Sequence, residues 1–542
     1  MEVQREKALE AISNHDCGFY YESDSDNFAK IPGSPVAYWV SDELLDIFSN
    51  SQKIGDFCDS KTGMTTGDND RFLRCWHEPS IQNYKNIWFP YNKGGGYRRW
   101  YGNSGTIIDW ANNGDKVKSF AKSTIRNETY YFRECISWGL ITSGKISVRY
   151  MPPIFVMGDA GPACYFTDKE RLYTYLALLN SVVANYIFNI INPTINFSCG
   201  VMDIFPVCIF NNPNIADIVQ QNIDICKADW DAFETSWDFK KHSLIRNVSS
   251  IEDAYCEWEK ECNLRFKQLK ANEEELNQIF IDIYGLQKEL TPNVEAKDVS
   301  VRKADLERDI KSFISYAIGC MFGRYSLDTD GIAFAGGNWD SSKYKTFIPD
   351  EDAIIPITDQ DYFADDIVER FTEFVKVVYG EDNLEKNLRF IAKALGNGDE
   401  APQHVLRNYF IKDFFADHCK IYQKRPIYWL FDSGRKNAFK ALVYIHRYKP
   451  DTIARLRTGY LHEVQAKYAA DAESLEKALT AGTGGNQTQM KKELSALKAK
   501  QEEMHVFEEK IHHYADSRIS IDLDDGVKHN YALFADVLAK LK

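Results

Sequence analysis

The chain carries an unusual run at residues 91–103, YNKGGGYRRWYGN, in which three glycines lie between a lysine and two arginines. Four aromatic residues, Tyr91, Tyr97, Trp100 and Tyr101, are interleaved with these charges. Glycine lets a backbone approach a ligand closely, arginine binds phosphate or a guanine edge, and aromatic rings stack on bases. Three interpretations compete for this run: a nucleotide cradle, a nucleic-acid surface, and an exposed loop anchored by a buried tryptophan.

The charge around this run favours the nucleic-acid surface. Residues 81–150 contain 11 lysines and arginines and four acidic residues, whereas the whole chain of 542 residues has a formal charge of −14. A local basic face on an acidic body suits selective DNA binding, because the attraction is confined to one place. The residues of this region that we expect to contact DNA are Asn92, Lys93, Arg98, Arg99, Trp100, Tyr101, Asn103, Arg126, Lys145 and Arg149.

Two asparagines further along the chain are additional candidates. Asn192 and Asn196 lie in a loop, NPTIN, that follows an apolar segment. Their amide groups could pair with N6 and N7 of adenine. They could equally cap turns, which is a common role of asparagine in loops. Both interpretations remain open from the sequence.

Several chemistries are not supported by the motifs present. The sequence contains no G-x-x-x-x-G-K-[ST], no H-E-x-x-H and no G-x-S-x-G. The three glycines are not followed by a helix within a βαβ unit, so a Rossmann cradle is not expected. The 12 cysteines are scattered without a C-x-x-C pair, which is typical of a reduced cytoplasmic protein. We therefore predict no catalytic residue and no metal site in this chain.

The elements that position the run are predicted to be mixed. Five short runs, IWFPYN, GTIIDW, YYFREC, KISVRY and IFVMG, read as strands, and residues 172–191 read as one buried amphipathic helix rather than a membrane span. The predicted class is α+β. The predicted parts are a lead-in at 1–34, a mixed α/β domain at 35–215, a helical spacer at 216–299 ending near Pro292, an α-rich C-terminal domain at 300–450, and a helical hairpin around GTGGN with a tail at 451–542.

Long stretches of the chain closely resemble PglX, the family of adenine-specific DNA methyltransferases of the BREX phage-exclusion systems. The resemblance runs through essentially the whole chain, in order. Its most specific stretches are GMTTGDNDRFLR (63–74), WFPYNKGGGYRRWYGN (88–103), LALLNSVVANYIFNIINPTINFSCGVMDIFPV (176–207) and ISIDLDDGVKHNYALF (519–534).

The resemblance implies that this chain corresponds to the C-terminal half of a longer enzyme. That half would comprise a DNA target-recognition domain, a helical spacer and a C-terminal domain. The family's N-terminal half carries a glycine-rich S-adenosylmethionine loop and an Asn-Pro-Pro-Tyr motif, and neither is found in this sequence. Met1 is then expected to mark an artificial boundary or a split gene.

The expected properties follow from that resemblance. The chain alone is expected to be unable to methylate DNA and to bind no cofactor, with S-adenosylmethionine bound by the other half. Its expected partners are double-stranded DNA and other BREX components, without a membrane. The alternative is a protein-interaction scaffold within the phage-defence complex, in which the helical hairpin docks partners and DNA contact is incidental.

Overall fold

The computed structural model describes residues 2–20, 22–208, 212–396, 398–481 and 486–541. Helix accounts for 49% of the chain and strand for 10%, and the strands are divided among several small sheets. This confirms the predicted α+β class with a helical C-terminal region.

The strands and helices follow one another irregularly along the chain. The strands are β1 (Gln52–Lys53), β2 (Asp59–Lys61), β3 (Leu73–Cys75), β4 (Trp88–Asn92), β5 (Thr106–Asp109), β6 (Cys135–Trp138), β7 (Val148–Met151), β8 (Val156–Met157), β9 (Ala163–Tyr165), β10 (Pro206–Val207), β11 (Ile354–Ile357), β12 (Tyr428–Asp432) and β13 (Lys440–Tyr444). The helices are α1 (Glu2–Ser13), α2 (Ser25–Lys30), α3 (Asp42–Asn50), α4 (Asn69–Phe72), α5 (Ala111–Lys118), α6 (Lys169–Leu179), α7 (Val182–Ile191), α8 (Cys199–Asp203), α9 (Asn214–Asp231), α10 (Ile251–Tyr284), α11 (Leu306–Met321), α12 (Ile367–Tyr379), α13 (Leu384–Ala394), α14 (Pro402–Lys412), α15 (Phe414–Ile421), α16 (Thr452–Arg455), α17 (His462–Thr480), α18 (Gln487–Ser517) and α19 (Val527–Ala532).

Two four-stranded sheets form the centre of the predicted mixed domain. One has the order β2–β9–β6–β7 and is antiparallel throughout. The other has the order β3–β5–β4–β8, in which β4 and β8 run parallel. Four of the five predicted strand runs each overlap one of these strands: β4, β5, β7 and β8.

The fifth strand run, YYFREC, is mostly not a strand. A 3-10 turn covers Glu128–Tyr130, and only Cys135 of the run enters β6. The reason is local, because Phe132 has a φ of +58°, which interrupts an extended backbone. Aromatic content alone therefore overstated the strand.

The apolar segment at 172–191 forms two helices instead of the predicted single one. α6 and α7 meet at an angle of 71°. At the bend, the Asn180 amide donates to and accepts from the backbone of Val148 in β7, with both distances 2.9 Å. Ser181 then caps α7 by accepting a hydrogen bond from the N–H of Ala184. Among the residues that the structure describes, no single helix has both the length and the apolar character needed to cross a membrane.

The long helix α10 connects two hydrophobic cores. It has 34 residues and therefore extends for about 51 Å at about 1.5 Å per residue. Ile251 and Trp258 in its first half pack into the core of the C-terminal region, whereas Leu269 and Phe280 in its second half pack into the core around α6 and α7. The helix ends at Gly285, which has a φ of +67°, and not near Pro292 as predicted.

The C-terminal region has its own core around α11 and the antiparallel sheet β11–β13–β12. The predicted hairpin consists of α16, a π-helical segment at Leu456–Leu461 and α17, which together pack against α18. Most of the predicted breaker GTGGN, at 482–485, lies outside the described residues. The tail after α18 returns to the mixed domain, where Asp524 accepts a hydrogen bond of 2.8 Å from the indole of Trp88.

Candidate nucleic-acid interface

The glycine run follows the end of β4 and is packed closely against the rest of the chain. Gly94 and Gly95 have φ values of +72° and +121°. A side chain on Gly94 would place its Cβ 2.2 Å from the carbonyl oxygen of Ala160. The buried Asn92 side chain supports the turn, because its Oδ1 accepts a hydrogen bond of 3.1 Å from the N–H of Gly94. Packing within the chain therefore already explains the glycines.

Arg98 binds the spacer rather than facing solvent. Its Nη2 lies 2.8 Å from Oδ2 of Asp229 in α9, and its Nε donates to the carbonyl oxygen of Tyr101. Arg302 pairs with the same carboxylate at 3.3 Å. Burial opposes ionisation of Asp229, but Arg302 and Arg98 more than offset it, so the pKa of Asp229 is lowered. Arg98 thus attaches α9 to the mixed domain.

Arg99 and Trp100 converge on one carboxylate of the long helix. The Arg99 guanidinium lies 3.1 Å from Oε2 of Glu273, and the indole Nε1 of Trp100 donates to Oε1 at 2.7 Å. All three side chains are buried. Burial raises the pKa of Glu273, and Arg99 and Trp100 oppose that rise. The segment that contains Arg98, Arg99 and Trp100 is therefore attached to two helices, to α9 through Arg98 and to α10 through Arg99 and Trp100.

Arg149 in β7 lies beneath the glycine run. Its Nη2 donates to the carbonyl oxygen of Gly94 at 3.1 Å, and no carboxylate among the described residues lies within ion-pair distance of it. Burial lowers the pKa of Arg149 to about 10, and the charge of Arg98 adds to that effect. Tyr101 is also buried, and its ring lies 5.1 Å from Nζ of Lys227.

These positions require a correction to the sequence-based interface. A side chain that is buried within the chain cannot meet a duplex in this conformation, because it has little surface left to contact DNA. The residues to which this applies are Asn92, Arg98, Arg99, Trp100, Tyr101 and Arg149. Their partners lie far along the chain, so the local sequence did not reveal them.

An open groove borders the same run, and we call it the loop groove. Its volume is about 340 Å³. It is lined by residues 95–97, Gly139, residues 141–147, Lys297 and Asp298. Lys145 is exposed on its wall and pairs with Asp298 at 2.6 Å. Asn103 borders it, because its Nδ2 donates to the carbonyl oxygen of Gly96 at 2.8 Å.

The two predicted loop asparagines lie beside the loop groove. The loop that contains them pairs with a groove wall, since the N–H of Thr142 donates to the carbonyl oxygen of Ile195 at 2.9 Å. Asn192 is buried and caps its own turn, because its Nδ2 donates to the carbonyl oxygen of Asn196 at 3.1 Å. Asn196 is exposed. The turn-cap interpretation therefore fits Asn192, and Asn196 keeps an accessible side chain.

The last two predicted residues, Lys93 and Arg126, are exposed but do not line the loop groove. The structure thus brings together Lys145, Asn103 and Asn196 at one surface. It leaves Lys93 and Arg126 as separate exposed cations on the same part of the chain.

Two isoleucines project from the paired loops into solvent. Ile141 is 66% exposed and Ile195 is 59% exposed. They are held near each other, because Ile141 forms an antiparallel bridge with Asn196. β-Branched side chains so exposed on adjacent loop tips gain nothing from folding, since burial is what makes an apolar side chain stabilising. They are available to a ligand with apolar surface.

The whole of this surface lies within a segment shared with known proteins. No family model matches the chain. The adenine-specific methyltransferase PglX of Lacticaseibacillus casei (strain Zhang) is 43% identical over 97% of this chain and 46% of its own length. The adenine-specific methyltransferase BrxX of Escherichia coli O9:H4 (strain HS) is 38% identical over 95% of this chain and 46% of its own length.

This chain is a partial relative of PglX and BrxX. It spans about half the length of these curated relatives. The match confirms the resemblance inferred from the sequence and its partial extent. Because nearly all of the chain aligns with PglX, the loop groove and the buried contacts to α9 and α10 both fall within the shared segment.

Sequence reasoning missed three exposed residues of this PglX relative: Ile141 and Lys297, which line the loop groove, and Ile195, which lies on the loop paired with its wall. One signal was present for Ile141. It lies in GLITSGK, at 139–145, between two glycines and among turn-forming residues, where an isoleucine has no core to enter. Lys297 is separated from the run by about two hundred positions, and no local pattern links the two.

Proposed function

We propose that this chain is the DNA-recognition portion of an adenine-specific DNA methyltransferase that marks host DNA within a cytoplasmic phage-exclusion system. The observation that carries the proposal is the loop groove, an exposed polar surface in a chain that aligns with about half of two adenine-specific methyltransferases. Recognition needs surface loops held by a rigid base, and here the buried arginines and Trp100 provide that base.

The surface charge supports this proposal even when the buried arginines are left out of the count. Three of the 11 cations in residues 81–150 are the buried Arg98, Arg99 and Arg149. Eight cations remain at least partly exposed, against four acidic residues in the same window. Phosphate contacts from such cations would supply affinity, and Asn196 or Asn103 would read base edges.

The cofactor is proposed to bind elsewhere. The glycine run does not open a helix, because Trp100 after it has a φ of +67° and continues irregular backbone. The space beside Gly94 is also taken by the chain itself, because a Cβ there would lie 2.2 Å from the carbonyl oxygen of Ala160, so no cradle is open to a cofactor. The glycine run therefore does not fit S-adenosylmethionine, and we place cofactor binding and methyl transfer in the part of the relatives that this chain does not match.

The described N-terminal segment offers a surface for that remaining part. Leu9, Ile12, Val36 and Trp39 are large apolar residues that are all well exposed. Single exposed apolar residues are normal on a protein surface and need no explanation. Several of them within one short segment are unusual, and such a group favours a contact with another protein. We propose that the unmatched part of the methyltransferase covers this segment. Other components of the exclusion system would bind elsewhere, and the exposed arm formed by α17 and α18 is one candidate.

The proposal is tested by measuring binding of the chain to a pool of random duplex DNA across a salt series. The expected result is a steep linear fall of log affinity with log salt, because bound phosphates release counterions. Replacing Lys145→Ala together with Asn196→Ala should weaken binding roughly fivefold or more and reduce the slope by about 0.9, the value for one lost phosphate contact.

The matched control is Lys477→Ala in α17. Like Lys145, Lys477 is an exposed lysine in an ion pair, here with Glu473 at 2.5 Å. Its replacement should leave both affinity and slope unchanged. Absence of salt-dependent binding would favour the scaffold alternative, and methyl transfer by this chain alone would contradict the placement of the catalytic part elsewhere.

A further inference from the structure

A second cavity lies on the other side of the run, and we call it the aromatic cleft. Its volume is about 440 Å³, which falls in the range of about 300–1,000 Å³ typical of small-molecule sites. Most of its lining comes from three segments: the connection between β3 and β4, the end of β7, and one face of α9 with the residues that follow. Tyr101, after the glycine run, and Ile107 in β5 complete it. The aromatic residues that line it are Trp76, Tyr84, Trp88, Tyr101, Tyr150 and Trp237.

The floor of the aromatic cleft is rigid. The indole of Trp76 donates to the carbonyl oxygen of Thr235 at 2.8 Å, and the indole of Trp88 donates to Asp524 at 2.8 Å. Both tryptophans are buried. Since their N–H groups are engaged within the chain, these rings offer only apolar surface to a ligand.

The mouth of the aromatic cleft is formed by two half-buried rings. The centroids of Tyr84 and Trp237 lie 6.2 Å apart, and their planes are tilted by 44°. Neither ring face is closed by the other, so a flat ligand can stack on one of them. Aromatic side chains bind bases in this way because every base has a π-face.

The rim of the aromatic cleft carries both signs of charge. Lys85, Asp224 and Asp238 are exposed on it. Lys227 is fixed between Asp231 at 2.6 Å and Asp238 at 2.8 Å. Two rim carboxylates disfavour a simple anion, and four charges disfavour an acyl chain. A flat ring whose edge has both hydrogen-bond donors and acceptors fits best, and a nucleobase is such a ring.

The aromatic cleft and the loop groove share two chain segments. Tyr97 lines the groove and Tyr101 lines the cleft, and Lys145 lines the groove while Tyr150 lines the cleft. The two segments are paired through the bridge between Trp100 and Arg149. Five residue steps separate Lys145 from Tyr150, so this stretch of chain spans at most about 18 Å, and the two sites are neighbours. A duplex at the groove could therefore deliver an extruded base to the cleft.

We propose that the aromatic cleft binds a nucleobase, stacked on Tyr84 or Trp237 with its polar edge toward Asp224. The base can come from a free nucleotide or from DNA. The free-nucleotide source is independent of the function proposed above, whereas the DNA source rests on it.

The first experiment is calorimetric titration of the chain with adenosine 5′-monophosphate, with inorganic phosphate as the probe for the charge alone. Adenosine monophosphate should bind and phosphate should not. Tyr84→Ala should weaken binding roughly fivefold or more, because one stacked base contributes at least that factor. If Tyr84→Ala fails to fold, Asp224→Asn remains informative, since Asp224 is exposed and the change is isosteric. That variant should also weaken binding roughly fivefold.

The second experiment uses duplex DNA that contains 2-aminopurine, whose fluorescence rises when the base leaves the stack. A rise that is lost in Tyr84→Ala or Asp224→Asn, without binding of the free nucleotide, assigns the cleft to an extruded base. The control is Leu264→Ala, which shortens an apolar side chain that is 67% exposed and lies outside the cleft, and it should change neither readout. The proposal is overturned if the chain shows no nucleotide binding and no fluorescence change. It is also overturned if the parent chain and all variants give equal values. If the duplex does not bind at all, the nucleotide titration decides.

Discussion

Glu273 in α10 accepts a hydrogen bond of 2.7 Å from the indole Nε1 of Trp100, and both side chains are buried. The same carboxylate pairs with Arg99 at 3.1 Å. Trp100 and Arg99 belong to the segment whose backbone borders the loop groove. The long helix therefore holds the segment that forms one wall of the proposed recognition surface.

Removal of this carboxylate is expected to destabilise the chain strongly. Glu273→Ala leaves the Arg99 guanidinium buried without its partner, which costs about 3–5 kcal/mol in the free energy of unfolding. Glu273→Gln retains an acceptor for Trp100, so its cost should be smaller. Chemical denaturation measures both, with Glu275→Gln, an exposed position on the same helix, as the control. Equal small losses at both positions would mean that Arg99 is hydrated.

The same cluster predicts how Arg99→Ala will behave. The free energy of unfolding of this variant should fall. Its apparent DNA affinity should decrease only in proportion to the fraction of molecules that are unfolded. Anisotropy with duplex DNA, measured at a temperature where the variant is folded, checks this. Unchanged stability with weaker DNA binding would instead place Arg99 in contact with the duplex.

The glycine run offers a test whose control lies two residues from the tested position. Gly94→Ala should destabilise the chain by about 1–3 kcal/mol, because a non-glycine residue at positive φ is strained and its Cβ meets the carbonyl of Ala160. Gly96→Ala has no atom within 4 Å of its added Cβ, and its effect should stay within about 0.5 kcal/mol. Denaturation midpoints compare the two. Equal midpoints would mean that the run opens freely.

The expectation that Lys145 and Asn196 contact DNA stays a prediction, although both side chains are exposed. Sequence reasoning predicted the fold class correctly, because local patterns report element type. It could not predict the inward direction of Arg98 and Trp100. Their partners Asp229 and Glu273 lie 131 and 173 residues away. The count of charges in residues 81–150 includes the arginines but not Asp229 and Glu273, which lie outside that window. The count therefore overstated the positive charge of the surface. The bend at Asn180 was missed for the same reason, since its partner is in β7.

Stability should fall as the pH drops below about 6.5, and His418 should be one cause. Its Nε2 accepts hydrogen bonds of 3.1 Å from the N–H groups of Ile427 and Tyr428, so the folded chain needs the neutral ring. Burial lowers its pKa to about 3, and Arg324 adds to that effect. The unfolded chain binds the proton near pH 6.5, so stability present above about pH 6.5 is lost progressively toward pH 3.

The comparison with His418→Gln isolates this contribution, because glutamine can present an acceptor in the place of Nε2. Its stability profile between about pH 6.5 and 4.5 should be flatter by up to about 1.4 kcal/mol per pH unit. Urea denaturation at a series of pH values measures it. Carboxylates with raised pKa, such as Glu234, contribute with the opposite sign and cancel in the comparison. A profile for His418→Gln that is parallel to that of the parent chain would contradict the assignment.

The exposed isoleucines provide a test of the loop groove that is independent of charge. Ile141→Thr with Ile195→Thr should keep the stability, since neither side chain is buried, but should weaken binding to duplex DNA by about fivefold if the two contact bases or sugars. The salt slope should remain unchanged, because no cation is removed. That combination distinguishes these residues from Lys145, whose loss should reduce the slope. Ile348→Thr is the matched control, because Ile348 is 59% exposed and lies outside the groove. An affinity equal to that of the control would remove the loop tips from the interface and leave only its polar groups to bind DNA.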